Sequence, residues 1–230
     1  MKESLTAFGK RKYLFYWIIT AAVGWSLKVV DFGLIEQWTV RSMTELPAII
    51  LFSAFSGLIS GLVLGIGQQA IIHHLSTEKK HDWWWKTVIG CSLLAPAGIG
   101  IITLITWIGI SIRGDIFLPD NQSMGISLYP GYLFYGGIIL GIMQWSGLRN
   151  IIGKRGWKEA LLWILGIWTS FGLGIISGLI TADIVSRPVT QSTWNYFLEI
   201  TVTGIVYGVV SGAILLIFLN ESTNHTDAIE

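Results

Sequence analysis

Charged side chains are scarce in this chain: they make up 13% of 230 residues, against 52% hydrophobic, and mean hydropathy is +0.62. A soluble domain carries about 25% charged residues, so water is not the main solvent of this protein and a bilayer is. An excess of either sign is also missing. The net charge of +1 excludes the long basic or acidic surfaces that attract nucleic acid. Cysteine is limited to Cys91, which rules out an internal disulfide; within an apolar run it reads as an inert small residue. Also lacking are the groupings that catalysis at membrane depth requires, namely an aspartate pair, a Ser–His arrangement or a dense polar cluster. An enzymatic role, a cofactor and a metal are therefore not expected. The nearest approach to a metal set is His73, His74 and His81 with Asp82, but the spacing matches no closed tetrahedral site, and Lys79, Lys80 and Lys86 repel a cation.

What the chain has instead is long apolar runs. Six are of a length to cross a hydrocarbon core, which takes roughly 17 to 25 helical residues: about Tyr13 to Val30, Leu46 to Ile72, Trp84 to Ile110, Gly131 to Leu148, Ala160 to Thr181 and Tyr196 to Leu219. They are continuously apolar, whereas a membrane barrel shows short alternating segments. The expectation is an all-α bundle of six transmembrane helices over residues 13–219, with a short N-terminal segment, 1–12, and a flexible polar tail, 220–230. The first run continues into Trp25, Lys28 and Asp31, which favours a retained helix over a cleaved signal peptide. Basic residues cluster on one side: Lys10, Arg11 and Lys12, then Lys79, Lys80 and Lys86, then Arg149, Lys154, Arg155 and Lys158. That asymmetry places both termini in the cytoplasm. Aromatic residues near the run ends, including Trp17 and the Trp83-Trp84-Trp85 stretch, read as interface anchors.

The chain also repeats itself. Gly61-Leu-Val-Leu-Gly65-Ile-Gly-Gln68 matches Gly137-Ile-Ile-Leu-Gly141-Ile-Met-Gln144 and Gly204-Ile-Val-Tyr-Gly208-Val-Val-Ser211. The period equals one helical hairpin, so the simplest architecture is three related hairpins, about 13–72, 84–148 and 160–219. The repeated glycines have a physical purpose. Lipid is as apolar as leucine, so membrane helices associate where small residues let backbones approach. Gly57, Gly61 and Gly65, Gly137 and Gly141, Gly166, Gly174 and Gly178, and Gly204, Gly208 and Gly212 form such stripes at helical spacing. Packing within the chain is expected over a seam between copies, because six helices already offer partners.

Polar groups inside the runs are the candidate functional sites. Lys28 and Glu199 fall at similar depth and are expected either to pair or to snorkel separately to the surface. Gln68 and Gln144 close two of the glycine stripes near the cytoplasmic end and, with Arg149, read as an interfacial lock that ties neighbouring helices, the alternative being a ligand site. Arg149 can reach lipid phosphate. Pro96 removes a hydrogen bond near the middle of the third run and is expected to kink it. Three loop pairs, Asp31 with Arg41, Arg113 with Asp115 and Asp183 with Arg187, read as solvated charges.

From Gly137 to Arg149 the pattern G-x-x-x-G-x-x-Q-W-x-x-L-R resembles a repeat of uncharacterised multi-pass membrane proteins from bacteria, particularly cyanobacteria and actinobacteria. The second run carries Gln69 and His73 where that pattern has Trp and Arg, and the sixth has lost Gln, Trp and Arg. The resemblance implies a bacterial plasma membrane or thylakoid location and no defined activity. The expected function is a non-enzymatic packing or interaction module whose partners are membrane lipids or another membrane protein. The alternative is small-molecule uptake. A compact six-helix chain with short loops looks like the substrate-binding subunit of an energy-coupling-factor vitamin transporter, with Trp25, Trp168, Gln68 and Gln144 available for a pocket.

Overall fold

The computed structural model describes residues 7–29, 46–75, 82–113, 121–151, 156–186 and 192–227. They form six α-helices: α1 (Ala7–Ser26), α2 (Leu46–Leu75), α3 (Trp83–Arg113), α4 (Asn121–Ile151), α5 (Trp157–Ser186) and α6 (Ser192–Asp227). Uninterrupted helix is what the composition demands, since a chain that cannot hydrogen-bond to water along its flanks must satisfy its backbone internally.

Local chemistry sets several helix limits. The Ser26 hydroxyl donates to the Val23 carbonyl (2.8 Å), and the Lys28 amide donates to the Trp25 carbonyl (2.9 Å). These short-range bonds tighten α1 into a turn at Leu27–Lys28, so its regular helix stops before Val30. At the other end of the chain α6 runs on through Asn220 to Asp227, where the polar composition points to a flexible tail. No Gly or Pro interrupts residues 220–227, and a helix already nucleated propagates readily. Pro96 lies inside α3, which continues through it.

Each helix packs chiefly on its two neighbours in the chain, and α1 closes the ring against α6. Neighbours are antiparallel throughout. Gly57 and Gly65 of α2 face Cys91 and Trp84 of α3; Gly137 and Gly141 of α4 face Phe171 and Ile164 of α5; Gly204 and Gly212 of α6 face Ala22 and Leu14 of α1. One end of the ring therefore gathers the start of α1, α3 and α5 and the finish of α2, α4 and α6. We call it the chain-end face and its opposite the far face.

Three stretches, Ile50–His74, Trp157–Ala182 and Trp194–Leu219, are long and apolar enough to cross a membrane, with mean hydropathies of 2.0, 1.8 and 2.3. Only 39%, 33% and 50% of their most apolar windows are buried. Much of this apolar surface is thus turned outward, as at Leu51, Phe55, Leu173, Ile176 and Ile180. A water-soluble protein rarely exposes so continuous an apolar belt, and the arrangement is that of a membrane protein.

Candidate functional site

The glycine stripes decide how closely the helices approach, and hence what the ring encloses. A Cβ on Gly65 would stand 2.6 Å from the Trp84 carbonyl oxygen, and one on Gly57 would overlap the carbonyl oxygen of Cys91. On Gly178 it would stand 2.6 Å from the Glu199 carbonyl oxygen, and on Gly174 it would stand 2.9 Å from Thr203 Cα. Gly61 meets Val88 and Cys91 in the same way, and Gly208 meets Ile18 and Ala21. Gly166 differs, because its neighbour is the tip of the Ile214 side chain. No glycine of these stripes opens onto empty space.

With the backbones this close, the ring is narrow and is filled by aromatic rings. Trp17, Trp83 and Trp163, each from an odd-numbered helix, meet near the chain-end face, with ring centroids 5.8 Å apart for Trp17–Trp83 and for Trp83–Trp163. Deeper in, the Trp25 ring stands 4.9 Å from Phe171 and 5.8 Å from Tyr207. These six side chains are all buried. Trp17 and Trp83 are therefore core residues and not surface anchors, whereas Trp84 and Trp85 stay exposed. The Trp84 amide, which lacks a helical partner in the first turn of α3, donates to Gln69 Oε1 of α2 (3.3 Å).

The polar groups inside the ring serve one another. The Tyr207 hydroxyl lies 2.8 Å from Gln144 Nε2, from which it accepts, and 3.0 Å from Gln144 Oε1, to which it donates. Gln144 Nε2 also reaches Thr87 Oγ1 at 3.4 Å, so one amide ties α4 to α3 and α6. Trp83 Nε1 donates to Gln68 Oε1 (3.2 Å), and Trp17 Nε1 donates to Ser211 Oγ (2.9 Å). Ser211 in turn donates to the Tyr207 carbonyl (2.7 Å). Gln68, Gln144 and Ser211 are all fully buried and all end a glycine stripe, so three matching positions of the sequence repeat converge on one polar centre. Gln68 and Gln144 thus sit in the interior and not in a lock at the membrane surface. Arg149 lies exposed at the finish of α4, away from the centre. Lys86 belongs to the packing: its ammonium donates to the Ser146 carbonyl (2.8 Å) near the end of α4, where the helix dipole favours a cation.

Sequence reading overlooked Tyr207, Thr87, Ser211, Trp17 and Trp163 as members of this centre. One signal for Tyr207 was present. It occupies the repeat position held by Leu64 and Leu140 in the other copies, and the same copy exchanges Gln for the smaller Ser211.

Gly208 lies opposite Ile18 and Gly204 opposite Ala21, Ala22 and Trp25, so Lys28 and Glu199 both lie on the far-face side of these contacts. Among the described interactions there is nevertheless no ion pair between them. Lys28 is fully buried and is not without a partner. Glu199 is wedged with its Cγ against Gly178, and its Oε1 is buried with no hydrogen-bond partner.

No group of three or more metal-binding side chains occurs among the described residues. Lys79, Lys80 and His81, and the loop residues Asp31, Arg41, Asp115 and Arg187, lie outside them, as do the side chains of Arg113 and Asp183. No protein-family model, curated protein or solved structure matches this chain.

Proposed function

We propose that this protein is a six-pass membrane protein, both termini cytoplasmic, whose three related hairpins form a rigid module that binds lipid or another membrane protein and carries out no catalysis. The observation that carries this reading is where the chemistry has been used. Gln144 bonds Tyr207 and Thr87, Trp83 bonds Gln68 and Trp17 bonds Ser211 across helices, which leaves Gln68 Nε2, Trp25 Nε1 and Trp163 Nε1 without a described partner, while large apolar side chains such as Leu51, Phe55, Ile180 and Ile184 are turned outward. A wall of that kind can hold partners on its outside, and a filled axis opposes conduction along it. The hairpin relationship is supported by the ring itself: α2 faces α3, α4 faces α5 and α6 faces α1 through matching glycines. The cytoplasmic placement of the chain-end face is supported by Arg11, Lys12, Arg149 and Lys158, all exposed there. A bacterial plasma membrane or a thylakoid is the location we assign.

A second reading, the substrate-binding subunit of a small-molecule uptake system, is favoured by one specific observation: a lysine and a carboxylate are both retained at depth, Lys28 and Glu199, where ionisable groups are costly. Native mass spectrometry of gently purified protein separates the two. Retained phospholipid or a stoichiometric membrane protein supports the module, and a retained small polar metabolite supports uptake. Bare monomer under conditions that keep lipid on a control protein counts against both.

A further inference from the structure

The start of α1 stands off from its neighbours at the chain-end face. Further along the α1/α6 seam, a Cβ on Gly208 would stand 2.8 Å from Ile18 Cα, and one on Gly204 would stand 2.9 Å from the Ala21 carbonyl oxygen. At Gly212, one turn nearer the chain-end face, the three nearest atoms all belong to side chains, with Leu14 Cδ1 at 2.7 Å and Trp17 Cδ1 at 3.0 Å. Towards α2, Gly67 likewise meets the Thr20 side chain and not the α1 backbone. Seams that close on side chains keep helices further apart than seams that close on backbone. The result is a crevice between the start of α1 and the ends of α2 and α6, with Leu14, Trp17, Ile71, Leu215 and Leu216 among its walls. Those walls are apolar, and the one polar atom of Trp17 is spent on Ser211. A bound water needs about 2–4 polar partners, so water is a poor occupant. Even with its open side counted, the space is about 190 Å³, short of the roughly 300 Å³ at which small-molecule pockets begin. A short run of methylene groups needs neither polar partners nor that volume.

We propose that this crevice takes part of an acyl chain of an anionic phospholipid in the leaflet at the chain-end face, with the lipid phosphate held by Arg11 and Lys12. Arg11 is exposed three residues before Leu14, which puts it on the same side of α1 and one turn nearer the surface. Lys12 beside it is exposed as well. From α2, His74 is exposed three residues past Ile71 and brings a ring N–H donor to the same end. Neither α1 nor α2 contains an Asp or Glu, and on α6 the first acidic residue past Leu216 is Glu221. Against that single carboxylate, Lys10, Arg11 and Lys12 leave the mouth of the crevice positive. A guanidinium matches two phosphate oxygens at once, and a basic cluster at a membrane surface favours lipids of net negative charge. A zwitterionic headgroup brings its own cation to the same place and gains less. The inference deepens the reading of the protein as a lipid-binding module and rests on the membrane placement proposed there.

The test is native mass spectrometry of the full-length protein released from mixed micelles that hold equal amounts of phosphatidylglycerol and phosphatidylethanolamine. Wild type is expected to retain phosphatidylglycerol in preference, at one molecule per chain. The double variant Arg11→Gln/Lys12→Gln changes only exposed side chains and should lower that retention by roughly tenfold, as the loss of two basic groups at a membrane surface implies. Leu216→Trp fills the crevice, leaves the charges in place and should also lower it, whereas Leu173→Trp on the outward wall of α5 should not. Ile71→Phe fills the same space from α2 and replaces Leu216→Trp if that variant does not fold. Equal retention of the two lipids overturns the crevice, as does unchanged retention in the double variant or in a folded crevice-filling variant. A loss at Leu173→Trp as large as that at Leu216→Trp overturns it too. In each of those cases lipid is still held and the module reading stands. A wild type that keeps a membrane protein and no lipid also overturns the crevice alone, and one that keeps neither overturns both.

Discussion

The α2/α3 and α4/α5 seams use the same glycine spacing and end in different contacts. Gly57 and Gly65 press on backbone atoms of α3, the carbonyls of Cys91 and Trp84, whereas Gly137 rests on the ring of Phe171 and Gly141 meets the Ile164 backbone of α5 more loosely, at 3.1 Å from a Cβ. A backbone carbonyl is held by its own helix and can give way only if the helices part. A ring edge can turn. The same four-residue spacing therefore specifies a rigid joint in one place and a compliant one in another, and the difference lies in what the neighbouring helix presents.

The largest effect is expected where that rigidity is challenged. Gly57→Ala should destabilise the protein by about 3 kcal/mol, near the upper end for inserting a methyl into a packed interior, and Gly137→Ala by about 1 kcal/mol as Phe171 adjusts. Unfolding midpoints in mixed detergent micelles measure both. Equal losses at the two positions would mean that the contrast between backbone and ring contacts has no energetic weight.

The next effect concerns the polar centre, where the third repeat copy differs from the other two. Tyr207→Phe leaves Gln144 short of its strongest partner and should cost about 1–2 kcal/mol, given what membrane hydrogen bonds and unpaired buried amides are worth. Adding Gln144→Leu to that variant should recover part of the loss, since replacing both partners by apolar groups removes the unpaired amide. Strict additivity of the two changes in a double-mutant cycle would show that the bond contributes nothing.

These contrasts also mark how far the sequence could be read. Six helices and their glycine stripes follow from apolar run length and four-residue spacing, because those patterns depend on one helix at a time; their limits follow less well, since α4 begins at Asn121, well before the apolar run from Gly131, and α6 runs past Leu219 to Asp227. The centre depends on several at once. Gln68 and Gln144 were visible as polar ends of stripes, but whether an amide turns to the membrane surface or to the axis depends on ring closure between α1 and α6, which no local pattern encodes. Trp83 illustrates the same limit: in sequence it is one of three adjacent tryptophans, and only its angular position on α3 separates it, buried and bonded to Gln68, from exposed Trp84 and Trp85.

A finer comparison lies among the three central tryptophans. Trp17 and Trp83 donate to Ser211 and Gln68, while Trp163 Nε1 is buried with no acceptor, its matching amide Gln144 being committed to Tyr207 and Thr87. Trp17→Phe should therefore cost about 1 kcal/mol more than Trp163→Phe, the net worth of one hydrogen bond, because both changes lose similar ring area. The two unfolding midpoints decide it, and a greater loss at Trp163 would show that its indole nitrogen is satisfied in the folded protein.

The smallest effect runs in the opposite direction. Gly100, beyond Pro96 on α3, has open space where a Cβ would be, with no atom of the described residues within 4 Å, so it takes no part in the described seams. A glycine inside a helix costs about 0.5–1 kcal/mol relative to alanine through lost backbone entropy, and here no close contact offsets that cost. Gly100→Ala should raise the unfolding midpoint slightly, the reverse of Gly57→Ala in the same protein. Since both substitutions add one methyl group to a helical glycine in an apolar environment, a loss of stability at Gly100 comparable with that at Gly57 would mean that close backbone approach is not what distinguishes the seam glycines from the rest.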